Sequence, residues 1–357
     1  MKTKISTLLL ASATVFMSCD NEMSQIAEFE NEKNAIAFST YSMMSKGSPI
    51  NGNGNFTVEG SSFNVTAFLE GTTSEYMSAK IVYKNGWVYA NSLDKTYWPT
   101  NPNSKLTFFS VSPSADFESP KTNAIAFGAD STKVSYTIPT NTTDQQDLMF
   151  ASTGYISNTN NGKVTLQFKH ALNQIHFKAK TDSKNIHVDI DDNGIQMCNI
   201  LGNGDLNFNS ASNSWDTNNS TKVTYTAINE GKTINTINEF DDAEPITGGD
   251  VLMLMPQSIT PWIPNPADSE HKATTQNNSY LKINCKLYTI VGTEKVWYNG
   301  SDTKFAPIYI PFTGNSMELF GKKITYTLIF GGGYNDNGDP ILSPITFETK
   351  VDEWDEL

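Results

Sequence analysis

Cys19 is the side chain with the clearest chemical opportunity. It follows Ser18 and an apolar run from Ile5 to Met17, and Lys2 and Lys4 make the start positive. A positive start, an apolar stretch and a small residue before the cut are the pattern of a secretory signal, and the stretch is too short to span a bilayer stably. Ser18-Cys19 resembles a bacterial lipobox, in which cleavage before the cysteine leaves a diacylated thioether at the new terminus. Several acyl chains give a durable membrane hold where one alone is marginal. Residues 1–18 are therefore expected to be a lipoprotein signal peptide. Phe16 and Met17 depart from the Leu and small residue that a lipobox prefers.

Other reactive side chains are few. Asp189-Ile190-Asp191-Asp192-Asn193-Gly194 copies the first six positions of a calcium-binding EF-hand loop. The twelfth position is Ile200, where a bidentate acid is needed, and strand-like residues flank the loop, so a polar Asn-Gly hairpin is expected instead. The four histidines stand in no catalytic spacing with Ser, Cys or Asp. His170 shares parity with Val164, Leu166 and Phe168, which puts it on a core face with a hydrogen-bond partner. His176 and His187 fall on polar strand faces and His271 in a charged loop. Gly331-Gly332-Gly333 lacks the spacing, the Lys-Ser/Thr and the helix of a phosphate loop, and reads as a wide turn. Cys198 and Cys285 read as buried free thiols. No enzyme activity, metal or cofactor is expected.

Aromatic side chains offer a different chemistry, stacking on sugars. Trp87 lies in a hairpin and Trp98 before Pro99, and the phrases around them, whose resemblance is given below, imply core packing for both. Trp215 and Trp262 lie in polar loops and are the candidates for binding a glycan or a host protein.

The elements that must carry these residues are strands. Val164, Leu166 and Phe168 alternate with polar residues, as do Ile175, Phe177 and Ala179, then Ile186, Val188 and Ile190. Ile324, Tyr326, Leu328 and Phe330 repeat the pattern, followed by Ile345, Phe347 and Val351. A period of two marks half-buried strands. Eight Asn-Gly pairs punctuate them, and Lys80 to Ala90, with Asn85-Gly86 at its centre, is the cleanest hairpin. One sandwich of roughly 100 residues cannot hold this chain of 357. The expected architecture is all-β, with two tandem β-sandwich domains. Residues 19–34, with Asp20, Glu22, Glu28, Glu30 and Glu32, form an acidic tether. Residues 35–160 make an amino-terminal sandwich and 161–357 a carboxy-terminal one. The polar run Ser157 to Gly162 supplies the boundary, and Asn207 to Asn219 and Pro261 to Asn278 are loops.

Composition narrows the partners. There are 38 acidic and 25 basic residues, a net charge of −13, and every basic residue is lysine. Without arginine there are no bidentate phosphate or guanine contacts, and the net charge repels a phosphate backbone, so nucleic acid is excluded.

Several phrases taken together resemble fimbrillin-like proteins of Bacteroidota. They are Tyr97-Trp98-Pro99, Leu106 to Ser110, Asp147-Leu148-Met149-Phe150-Ala151, Val164 to Leu172, Leu252 to Gln257, Tyr326 to Gly333, Asn337 to Ile341 and Val351-Asp352-Glu353-Trp354. They occur in the family's order across residues 30–357. The acidic stretch after Cys19 likewise resembles a surface-export signal of such lipoproteins. The resemblance implies an outer-membrane, surface-exposed lipoprotein with two transthyretin-like sandwiches. In pilus-forming members a protease removes the first strand, and the carboxy-terminal strand of a neighbour fills the groove by β-strand addition. Here the first strand would hold Ala35, Ile36, Ala37 and Phe38, up to Tyr41. The donor would hold Ile345, Phe347 and Val351. Partners would be other pilus subunits or a second copy. The best-known processing enzyme cuts after arginine, so a cut in this chain would fall elsewhere, at Lys33 or Lys46. The resemblance also covers anchors, tips and solitary surface proteins, which leaves a monomeric glycan- or protein-binding lipoprotein as the alternative.

Overall fold

The structure is a computed structural model. It describes residues 34–41, 56–114, 122–181, 185–228, 231–234, 243–246, 251–265, 272–275, 277–312, 316–342 and 346–354. Ser18, Cys19, Ile345 and His271, and with them the signal peptide and the acidic tether except Asn34, lie outside these residues.

The elements are strands joined by loops and short 3-10 turns. The first are β1 (Ala37–Tyr41), β2 (Ser62–Leu69), β3 (Glu75–Tyr83), β4 (Trp87–Tyr89), β5 (Leu106–Ser112), β6 (Thr122–Ala126), β7 (Thr132–Thr137) and β8 (Met149–Ser152). Next come β9 (Lys163–Gln167), β10 (Lys169–His170), β11 (Asn173–Thr181), β12 (Ile186–Leu201), β13 (Asn203–Phe208), β14 (Asn213–Asp216), β15 (Lys222–Ile228) and β16 (Lys232–Ile234). The last are β17 (Glu244–Pro245), β18 (Leu252–Leu254), β19 (Tyr280–Val291), β20 (Glu294–Asn299), β21 (Ala306–Pro311), β22 (Lys322–Phe330), β23 (Gly332–Tyr334), β24 (Pro340–Leu342) and β25 (Thr346–Glu353). The all-β expectation holds, and the expected alternation is visible as alternating burial along β9 and β22.

A six-stranded antiparallel sheet runs β10-β8-β5-β2-β3-β4 and is buried on both faces at β5, while β3 and β4 expose one side. Phe63, Val65 and Phe108 face a cluster completed by Ile36, Phe38, Val164 and Leu166, from the parallel pair β1-β9. Phe68, Phe109 and Val111 belong to the main core with Val134, Tyr136, Leu206 and Phe208. This two-sided burial explains why β5 reads Leu-Thr-Phe-Phe-Ser-Val-Ser and is buried along its whole length. Behind it lies a four-stranded sheet, β14-β13-β7-β6. Two further sheets run β17-β11-β22-β25 and β15-β12-β19-β21-β23-β24.

Three expectations change. First, a boundary between residues 160 and 161 would cut β9 from β1 and β10 from β8, although each pair is hydrogen-bonded. β7 also pairs with β13 over six positions, so the two halves share a sheet. Second, Asn193-Gly194 is a bulge, not a hairpin. Asn193 adopts a φ of 53°, the register against β19 slips between Ile190 and Ile195, and β12 runs on to Leu201. A Cβ on Gly194 would lie 2.5 Å from the carbonyl of Asp191, which explains the glycine. Third, the stretch from Asn207 to Asn219 is no simple loop, because it holds the end of β13, the turn and all of β14 in the β13–β14 hairpin. By contrast Asn85 (φ 55°) and Gly86 (φ 144°) turn the chain between β3 and β4 as expected.

Candidate functional site

β1 is short, and alternation fixes how it sits. Ile36 and Phe38 are buried while Ala37 is exposed. Among the described residues its ladder partner is β9, parallel from Ala37 opposite Lys163 to Tyr41 opposite Gln167. Its start is held between two loops: Ile36 N–H donates to the Thr96 carbonyl (2.9 Å), Trp98 N–H to Asn34 (2.9 Å), and Ala37 N–H to Gly162 (3.1 Å). Ala35 forms an isolated bridge with Tyr97.

Side chains complete the seat. Trp87 Nε1–H donates to Thr40 Oγ1 (2.8 Å), and the Tyr89 hydroxyl donates to the Ile36 carbonyl (3.0 Å). Ser39 and Thr165 share a hydroxyl contact of 3.1 Å. Phe38 meets Phe63, Tyr89 and Phe108 edge-on, at centroid distances of 5.9, 6.1 and 6.2 Å. Burial pushes the Tyr89 phenol up to about 12, so it stays a donor at neutral pH. Taken away, β1 would leave an apolar groove with two side-chain donors and an open strand edge, which suits an extended peptide.

The candidate donor strand is in place in its own molecule. β25 pairs with β22 over eight positions, with Phe347 opposite Leu328 and Val351 opposite Ile324. Just beyond it, Trp354 stacks on His170 at 4.1 Å and 8°. His170 is buried as expected, and its Nδ1 lies 2.9 and 3.1 Å from the two carboxylate oxygens of Asp147. A carboxylate only accepts, so Nδ1 carries the proton. Sequence reasoning gave Asp147 and Trp354 no role, because their distance along the chain from His170 follows no short motif.

The two tryptophans proposed for ligands are placed differently. Trp262 is 1% exposed and packs among Tyr280, Tyr309 and Tyr334, so its faces are taken by the protein. That corrects the expectation of an open ring, since the flanking polar loop folds over an aromatic cluster. Trp215 is half-buried in β14, donates Nε1–H to the Ala171 carbonyl (3.0 Å) and packs on the main core. Trp98 is in the core and Trp87 packs against it, as expected.

The remaining reactive groups are held by protein. Cys198 and Cys285 are free and buried, and burial pushes the Cys285 thiol up to about 12. The acids of the β12 bulge accept from the chain: Asp189 from Thr233, Asp191 from Asn284 and Asp192 from Gly231. Burial, helped by Lys323, draws His176 down to about 4. Among the described residues no cluster could hold a metal, and no helix is long and apolar enough to cross a membrane.

Comparison with protein-family models matches the fimbrillin-like family over residues 50–354. The chain belongs to the fimbrillin-like family. The match begins after β1, which therefore lies outside it. Among solved structures, this fimbrillin-like chain is similar to a proposed cell adhesion protein from Bacteroides ovatus, at 13% identity and TM-score 0.44, covering 90% of this chain and 96% of that one. Another from Parabacteroides distasonis gives 10%, 0.44, 90% and 99%. The tip fimbrial protein Mfa3 from Porphyromonas gingivalis gives 8%, 0.38, 90% and 100%. No curated protein matches.

Proposed function

We propose that this fimbrillin-like protein is a lipid-anchored component of surface fimbriae, a subunit or accessory part in adhesion, that assembles by β-strand addition and has no catalytic role. Cys19 is the lipid acceptor, after cleavage behind Ser18, and anchors the chain in the outer membrane. One observation carries the assembly reading. β1 and its approach read Ile36-Ala37-Phe38-Ser39-Thr40, and the candidate donor reads Ile345-Thr346-Phe347-Glu348-Thr349. Both set Ile, Phe and Thr at alternate positions, the period at which one strand face fills successive pockets. In the seat of β1 those positions supply the two buried side chains and the hydroxyl that accepts from Trp87. The donor segment of a second copy, or a related strand of another subunit, would meet the same contacts.

The test is a pair of chains, one complete and one beginning at Ser42, run unheated on denaturing gels beside fractions sheared from cells. A ladder at multiples of the subunit mass that collapses on boiling is expected, stronger in the shortened chain. A single band in every fraction would refute assembly. Cys19→Ala should move the protein from membrane to medium, and retention in the membrane would refute lipidation.

The alternative is a monomeric surface lipoprotein that binds a glycan or a host protein. It is favoured by one feature, the pairing of both β1 and β25 within the same molecule. Of the two tryptophans first considered for such a ligand, only Trp215 keeps partial exposure.

A further inference from the structure

We infer that Asp147, His170 and Trp354 form a latch that holds the carboxy-terminal strand in its own molecule. β25 lies at the edge of its sheet with β22 as its ladder neighbour. Its described side chains give the end of the strand little purchase: Lys350 and Val351 are exposed, and Thr349 and Asp352 are half-exposed. Among the described side chains from Thr349 onward, the buried one is Trp354, one step beyond the strand and 3% exposed.

The other side of the latch belongs to the six-stranded sheet. His170 is in β10 and sits opposite Met149 of β8, while Asp147 lies two residues before Met149. The carboxylate fixes the imidazole in plane, and the imidazole then offers a flat face at stacking distance to the indole. The backbone N–H of Trp354 also donates to the Gly321 carbonyl (3.2 Å), next to the start of β22, which holds the main chain in place where the indole meets the imidazole. An edge strand pinned at its end peels when the pin is lost, because fraying starts at the end of a strand and each lost ladder bond exposes the next. On the strand-addition reading above, opening this latch makes the donor strand available to a second copy of the chain. The latch itself does not depend on that reading.

Hydrogen exchange on the full chain tests it. Trp354→Leu, which keeps apolar bulk but loses the stack, should speed exchange over Thr346–Glu353 by about tenfold or more and leave β2 and β5 at native rates. Trp354→Phe, which keeps a ring on the imidazole, should stay within about twofold of native. Unchanged exchange in Trp354→Leu would overturn the latch. So would equal behaviour of the two variants, or an equal rise in every sheet, which is what a general prop of the fold would give. A second readout separates the latch from assembly. Thr325→Cys with Lys350→Cys, opposite each other in the register, can tie β25 to β22. In the Trp354→Leu background, oligomers in the reduced sample that vanish on oxidation are expected. Fast local exchange with no oligomers would leave the latch standing and refute strand addition.

Discussion

A tryptophan in a polar stretch of sequence can be either a surface platform or an anchor, and Trp215 and Trp262 illustrate both ends. Trp262 fills the space between three tyrosines, so Trp262→Ala leaves a cavity that costs about 3–5 kcal/mol. Trp215→Ala loses a hydrogen bond and partial packing, for about 1–2 kcal/mol. Urea unfolding should rank the two in that order, and the reverse order would contradict the burial. His176 makes a prediction in pH. Its folded pKa is near 4, drawn down by burial, against an ordinary value near 6.5. The unfolded chain therefore binds the proton more readily. Stability from this group is complete above about pH 6.5 and is lost as pH falls towards 4, by about 1–3 kcal/mol. His176→Gln should flatten the stability slope between pH 7 and 5. A slope equal to that of the native protein would show that His176 is not the group responsible.

At the scale of elements, period and turn chemistry determine most of what forms. The β3–β4 hairpin needs a positive φ at Asn85 and Gly86, so Gly86→Val should cost about 1–2 kcal/mol and Asn85→Gly almost nothing, measured by thermal unfolding. The same dipeptide at Asn193-Gly194 makes a bulge, because β19 continues alongside and captures the chain on the far side. Local chemistry permits both outcomes, and the neighbouring strand selects between them. The β13–β14 hairpin was hidden for a related reason. Its polar residues suit an edge ribbon, and β14 is the edge of its sheet. The strands β9 and β22 were legible because each buries one face only, which leaves the alternation clean.

At the scale of the whole molecule, the shared sheet decides how the chain behaves when cut. A fragment of residues 35–160 has β1 without β9 and β7 without β13, and a fragment of 161–357 has the converse gaps. Neither should show a cooperative thermal transition alone, and mixing the two should restore one. Independent folding of either would contradict the interleaved pairing. The sequence by itself determined the β class, the alternating faces, several turns, the core place of His170 and the family phrases. Those follow from interactions between residues close along the chain, or from order of occurrence. Tertiary structure alone decided that β9 closes on β1, that Trp262 is enclosed, and that Trp354 lands on His170 beside Asp147. These are meetings across many intervening residues, fixed by which sheet each strand joins, and no local period carries that information.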